Sequence, residues 1–221
     1  VEARARGEVG AIVIVVLQAS RIGLVAWQYE RVEAVGGLGY LLIQGLRFDL
    51  VALGMLLIIP VILAPLAFAL RSTYRLGERV LATVLALQAG LCLTLELATP
   101  SFLEEYDTRP NYLFVEYLKY PEEVLSTLWG AYPLQLILMC AAAPLTVWVS
   151  RKAILGGGGL AGPLPPIKAA LLSLLLAIAC FVCARSTMEH RPVNPSTVCY
   201  SSDAMVNSLP LNSLYSSGYA I

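Results

Sequence analysis

The sequence predicts an all-α polytopic membrane protein with five transmembrane helices and further helices lying along one membrane surface. Hydrophobic residues make up 58% of the 221 residues and charged residues only 14%, whereas soluble domains are about one-quarter charged. The mean hydropathy is +0.73. Five apolar segments are long enough to cross, since a spanning helix needs about 20 residues. Helices are predicted because an open strand leaves its backbone groups unpaired in lipid.

The predicted crossings lie near residues 9–27, 49–70, 80–98, 132–149 and 167–184. Beginning the fourth at Tyr132 gives it sufficient length, with Trp129 as an interfacial anchor. Pro60 and Pro65 should kink the second crossing, because each removes a backbone donor. Residues 1–185 are therefore assigned to a transmembrane module.

The interval 35–47 is apolar but too short to span the membrane. Its leucines are typical of a helix lying in the interface. The alternative is a simple extension of the second crossing.

The interval 100–131 carries six acidic residues against Arg109 and Lys119, together with many aromatic residues. Tyr and Trp are stable where one end of the ring is wet and the other apolar. Helical spacing from residue 112 predicts a short amphipathic helix over 112–118, and the Pro-Glu-Glu at 121–123 suits the first turn of another helix. The alternative is a helical hairpin that only caps the bundle. The predicted interfacial platform consists of Tyr112, Phe114, Tyr117, Leu118 and Trp129.

Loop charges predict the orientation. Eight basic residues lie on the membrane side that holds the N-terminus, and six lie on the opposite side. The difference is clearest in the short loops that determine topology. The N-terminus is therefore predicted to be cytoplasmic, with the C-terminus and the interfacial helices on the periplasmic face. A net charge of zero argues against a nucleic-acid partner.

Three ionisable residues, Arg21, Asp49 and Glu96, lie within apolar segments toward the predicted outer leaflet. A charge at the bilayer centre costs about 2.5–3.5 kcal/mol, so such residues usually pair or line a cavity. They could form a pocket for a phospholipid headgroup, with an arginine on the phosphate, or each could reach the interface separately. Arg109 could pair with an acid or touch lipid phosphate. The candidate lipid-binding residues are Arg21, Arg47, Asp49, Glu96 and Arg109.

No catalytic or metal-ligating residues are predicted in this chain, and no cofactor is predicted for it. It has a single histidine, His190, beside a helix end, and no clustered Asp/His pattern. The glycine-rich run near 156–162 lacks the Lys-Ser/Thr of a phosphate-binding loop. Cys180 and Cys183 form a CxxC inside an apolar segment, where a thiol behaves as a small hydrophobic group.

Three stretches carry a family resemblance: GLRFDL at 45–50, FLEEYDTRPNYLFVEYLKYPEEV followed by LWGAYP within 102–133, and RPVNPSTVCYSSDAMVNSLPLNSLYS at 191–216. Together they resemble the membrane part of Gram-negative lipoteichoic acid synthase-type phosphoglycerol transferases, of the alkaline phosphatase/sulfatase superfamily. The resemblance implies an enzyme of the bacterial inner membrane that transfers phosphoglycerol from phosphatidylglycerol to a periplasmic glycan or glycolipid acceptor.

The resemblance also implies a periplasmic catalytic domain, with a Thr or Ser nucleophile and a divalent metal (Mn or Mg), outside this chain. Residues 186–221 would be the linker toward that domain, and their alternating pattern predicts that they wrap onto another surface. No catalytic residue of the family corresponds to a residue here. The alternatives are a non-enzymatic lipid-sensing regulator of the same architecture and a phosphoethanolamine transferase. A small transporter is disfavoured because the sequence shows neither an internal repeat nor paired broken helices.

Overall fold

A computed structural model describes residues 2–70, 72–156 and 163–219, with side chains from residue 10 onward. Within these ranges the chain is helical and contains no strand. The glycine-rich run near 156–162, which is not predicted to be a phosphate-binding loop, lies outside the described residues from residue 157 onward.

Among the described residues, five helices are long and apolar enough to cross a membrane, which confirms the predicted fold class. In chain order they are α1 (Glu2–Trp27), α3 (Leu38–Phe68), α4 (Tyr74–Tyr106), α7 (Pro133–Gly156) and α8 (Pro166–Arg185).

Shorter helices follow or connect them: α2 (Tyr29–Val35), α5 (Tyr112–Tyr117), α6 (Pro121–Ala131), α9 (Ala204–Ser208) and α10 (Ser213–Tyr219), with a 3₁₀ turn at Pro195–Val198. The predicted helix over 112–118 is confirmed by α5. The Asn111 side chain caps it by accepting a hydrogen bond from the Leu113 N–H at 2.9 Å. Helix α6 begins at Pro121 with Glu122 and Glu123 in its first turn, as predicted.

The prediction of a separate interfacial helix over 35–47 is wrong. The residues from Leu38 onward belong to α3, which continues without a break through the second crossing. Gly36 and Gly37 separate α2 from α3 with φ values of 75° and 82°, a conformation that favours glycine. At 1.5 Å per residue, α3 is about 46 Å long. It therefore exceeds the hydrocarbon core of about 30 Å.

The chain forms two compact units. The first contains the residues up to Val13, Leu50–Gly90 and Pro144–Pro192. Within it, a Cβ at Gly54 would lie 2.6 Å from the Cys180 carbonyl oxygen and 2.8 Å from the Ala184 nitrogen. Glycine therefore lets α3 and α8 pack backbone against backbone, as small residues do between membrane helices. Cys180 and Cys183 are free thiols at this contact.

The second unit contains Ile14–Asp49, Leu91–Ala143 and the chain from Val193. Its apolar core joins residues of four helices to the C-terminal tail. The tail contributes Met205, Val206 and Leu209, which are fully buried against Leu24, Val25, Val32, Leu41 and Leu103. The prediction that the tail wraps onto another surface is confirmed, and that surface lies on α1–α4.

Candidate functional site

The most buried polar feature of the second unit is an ion pair between α1 and α3. Arg21 donates from both terminal nitrogens to Asp49, at 2.8 and 2.7 Å, and neither side chain is exposed. Gln18 donates to the same carboxylate at 2.8 Å. A bidentate guanidinium–carboxylate pair of this kind is strong and geometrically specific.

Gly45 makes the room that this pair needs. A Cβ at position 45 would lie 2.6 Å from Cδ and Cζ of Arg21, well inside van der Waals contact. The guanidinium therefore crosses directly over the α3 backbone one turn before Asp49.

A second buried pair joins α4 to the loop that follows it. Arg109 donates to the Glu96 carboxylate at 2.9 and 3.2 Å, with the side chains 1% and 3% exposed. Ser20 of α1 also donates to Glu96. Burial lowers the pKa of the Arg109 guanidinium below its usual range, and the neighbouring Glu96 carboxylate opposes that shift.

The tail turn between α9 and α10 binds both pairs at once. The Leu209 carbonyl accepts from Arg21 Nε at 3.2 Å and from an Arg109 terminal nitrogen at 3.5 Å. Asn212 donates 3.0 Å bonds to Asp49 Oδ1 and to the Phe48 carbonyl. The Ser213 N–H, at the start of α10, donates to Glu96 at 2.9 Å, where the helix dipole also favours a negative charge.

The predicted charged residues therefore do meet, and the tail occupies the position proposed for a lipid headgroup. All four side chains of the two pairs are buried and bound to protein groups: Arg21, Asp49, Glu96 and Arg109. The alternative that the charged residues reach the interface separately is therefore wrong. Asp49 accepts four hydrogen bonds, which uses the capacity of a carboxylate. Arg47 is only half-buried and donates to Gln44 at 3.2 Å.

The predicted platform residues lie on α5 and α6 or directly after α5. Helix α5 packs against α10 of the tail. Phe114 is half-buried, with its ring centroid 6.3 Å from that of Phe102. Tyr112, Tyr117, Leu118 and Trp129 are exposed. Phe114, Tyr117 and Leu118 line a cavity of about 430 Å³ that also involves α4, α6 and α7.

Sequence reasoning missed the neutral partners of the buried charges: Gln18, Ser20, Asn212 and Ser213. Gln18 lies one helical turn before Arg21, and that spacing was an available signal. The tail partners gave no local signal, because they lie more than 100 residues from the charges they bind.

Arg31 forms a further clamp at the start of α9 in the tail. It donates to Asp203 at 2.9 and 2.8 Å and also binds Asp107 bidentately. The Arg31 hydrogen bond lowers the Asp107 pKa. Burial acts to raise the Asp203 pKa, but hydrogen bonds from Arg31 and the α9 backbone outweigh it, so that pKa is also lowered.

Among the described residues, no three His, Cys, Asp or Glu side chains are close enough together to hold a metal ion. Asp49 and Glu96 are instead bound by arginines. No protein-family model matches the chain, and no solved structure matches it.

The contact between Gly45 and Arg21 predicts that alanine destabilises the protein at position 45 of α3 but not at position 39. We expect Gly45→Ala to lower the thermal midpoint of the detergent-purified protein, because Arg21 must leave its position and disrupt a buried pair. Disrupting such a pair costs about 3–5 kcal/mol. The matched control is Gly39→Ala, because a Cβ at Gly39 would meet nothing within 4 Å. Equal midpoints for the two variants would contradict the arrangement.

The Arg31 clamp predicts a defined pH dependence. Because folding lowers the pKa values of Asp107 and Asp203, their stabilising effect is complete above the unfolded pKa of about 3.9 and is lost as pH falls through the folded values. The midpoint difference between wild type and Arg31→Gln should therefore be constant from pH 7 to 5 and shrink below pH 4. Lys119→Gln, which removes an exposed pair with Glu116, serves as the control. A difference that persists unchanged at pH 3 would refute this account.

Proposed function

We propose that this chain is the membrane module of a lipoteichoic acid synthase-type phosphoglycerol transferase. In this proposal the module anchors a periplasmic catalytic domain, which supplies the nucleophile and the divalent metal. The enzyme would transfer phosphoglycerol from phosphatidylglycerol to a periplasmic glycan or glycolipid acceptor. The support from sequence is the combined resemblance of the 45–50, 102–133 and 191–216 stretches.

The observation that carries the proposal is the docking of the tail. All three stretches that carry the resemblance meet at this site, because Asn212 binds Asp49 and the Phe48 carbonyl and Arg109 donates to the Leu209 carbonyl. A catalytic domain that follows a tail held in this way would have a fixed position relative to the membrane helices. Such a position matters in an enzyme whose lipid donor lies in the membrane, because correct placement of reactants supplies much of the rate.

The proposed location is the bacterial inner membrane, with the N-terminus cytoplasmic and the tail periplasmic. The five candidate crossings in the described part of the chain are an odd number, which supports opposite sides for the N-terminus and the tail. Arg75, Arg79, Arg151 and Lys152 are basic residues at the ends of α4 and α7 that would then face the cytoplasm.

This orientation predicts selective labelling of one cysteine. Cys199 is exposed in the tail, so a membrane-impermeant maleimide applied to intact spheroplasts should label it. The Cys199→Ser variant provides the blank, and Cys92, which is buried, should stay unlabelled. Labelling of Cys199 only after permeabilisation would place the tail in the cytoplasm.

The proposed role of the tail predicts a substrate-dependent defect in the full-length enzyme. Asn212→Ala removes the bonds to Asp49 and Phe48, and leaves the N–H of Tyr215 without its partner at 2.8 Å. The expected loss of stability is about 1–3 kcal/mol. Turnover of phosphatidylglycerol should fall about tenfold, while hydrolysis of a water-soluble phosphodiester should change less than twofold, because only the lipid reaction needs the membrane geometry.

The matched control is Ser202→Ala, an exposed position in the same tail, which should leave both reactions unchanged. Equal loss of both reactions in Asn212→Ala would contradict a positioning role. Absence of both reactions in the wild-type full-length protein would instead favour the non-enzymatic lipid-sensing regulator.

A further inference from the structure

The cavity beside α5 is built from the C-terminal end of α4, from α5 and α6, and from the first turns of α7. Its volume of about 430 Å³ lies in the range of small-molecule sites, roughly 300–1,000 Å³. All of its lining residues belong to the second unit.

The lining changes character along the cavity. Ala98 and Met139 line it within α4 and α7, whereas Glu105 lines it in the last turn of α4 and Tyr132 lines it directly before α7. Ala98 and Glu105 are about 10 Å apart along α4 at 1.5 Å per residue. The cavity therefore runs from an apolar inner end to a polar mouth, which suits an amphiphile.

One wall consists of aromatic rings that hold each other in place. The Phe102 ring centroid lies 4.6 Å from that of Tyr106 and 6.3 Å from that of Phe114. Tyr106 and Tyr117 have centroids 6.0 Å apart, and the Tyr106 hydroxyl donates to the Tyr117 hydroxyl at 3.0 Å. Rings fixed in this way form a preorganised surface with little ordering cost on binding.

The charge of the cavity has one sign. Glu105 of α4 and Glu123 of α6 line it, and none of its described lining residues is Lys, Arg or His. Within the described part of the chain, neither carboxylate forms an ion pair. Aromatic ring faces are also electronegative and attract cations such as quaternary ammonium groups. This combination favours a cation and opposes a lone anion.

We propose that this cavity binds an amphiphile with an amine or quaternary ammonium headgroup. Its apolar chain occupies the inner end near Ala98, and its cationic group lies between the tyrosine rings and the two carboxylates at the mouth. Phosphatidylglycerol carries no cationic group, so this site is separate from the donor of the proposed reaction and stands whether or not the transferase proposal holds.

Native mass spectrometry of the protein in a neutral maltoside detergent tests the proposal. The protein is incubated with equal amounts of phosphatidylethanolamine and phosphatidylglycerol of the same acyl chains, and the retained lipids are counted. Wild type should retain phosphatidylethanolamine about tenfold over phosphatidylglycerol. The double variant Glu105→Gln/Glu123→Gln should lose that preference, because glutamine keeps the size of the side chain and removes its charge.

The matched control is Glu104→Gln/Glu122→Gln. It removes the same two charges at the neighbouring positions, neither of which lines the cavity, and should keep the preference. Tyr120→Leu, at a 59% exposed lining position, should weaken retention several-fold through loss of a ring face. This variant keeps the test decisive if the glutamine pair unfolds the protein.

Two competitors distinguish the sources of the cation. Dodecyltrimethylammonium has the cation and the apolar chain without a phosphate, and should displace phosphatidylethanolamine from wild type. Water-soluble phosphoethanolamine, which lacks the chain, should not. Equal retention of the two lipids by wild type, equal loss in the two double variants, or displacement by phosphoethanolamine alone would each overturn the proposal.

Discussion

The second unit depends on burying charges that a membrane protein cannot leave unpaired. Each ion withdrawn from water carries a desolvation cost of several kcal/mol, which is offset only when geometry is good and the remaining polar groups are satisfied. Arg21 and Asp49 alone would leave lone pairs and N–H groups without partners. Gln18, Asn212 and the Leu209 carbonyl supply those partners. The ion pair therefore requires the tail as much as the tail requires the ion pair.

The same constraint explains why small residues lie where they do. Gly45 leaves space for Arg21 over the backbone of α3, so the glycine and the aspartate of the 45–50 stretch serve one contact. Between them, Phe48 is fully buried, with its ring 4.8 Å from that of Tyr215. Three residues of this short stretch therefore serve one arrangement: Gly45 leaves room for Arg21, Asp49 pairs with it, and Phe48 packs on the tail.

The parts predictable from sequence are those set by local patterns. The five spanning helices follow from apolar length, α5 from helical spacing, and the start of α6 from Pro121 and its two glutamates. The interval 35–47 was assigned wrongly because amphipathic leucines fit an interfacial helix and the first turns of a long helix equally well. What the pattern could not reveal was the partner surface of this interval. The tail forms part of that surface, with the Tyr40 and Tyr200 ring centroids 5.0 Å apart, and α1, α2 and α4 form the rest.

The sequence predicts the charged residues of the candidate site, but it does not predict that the tail fills the site. Arg21, Asp49 and Glu96 could be identified from the sequence because each is ionisable and lies in an apolar segment. The free-energy cost of burying a charge is a property of the individual residue. The choice between a lipid headgroup and a protein segment depends on contacts between positions such as 49 and 212, which no spacing rule records. The tail is also translated after all five spanning helices. The carboxylates of Asp49 and Glu96 thus acquire their full sets of donors only when the tail docks, so the order of synthesis makes docking of the tail the step that completes burial of the charges.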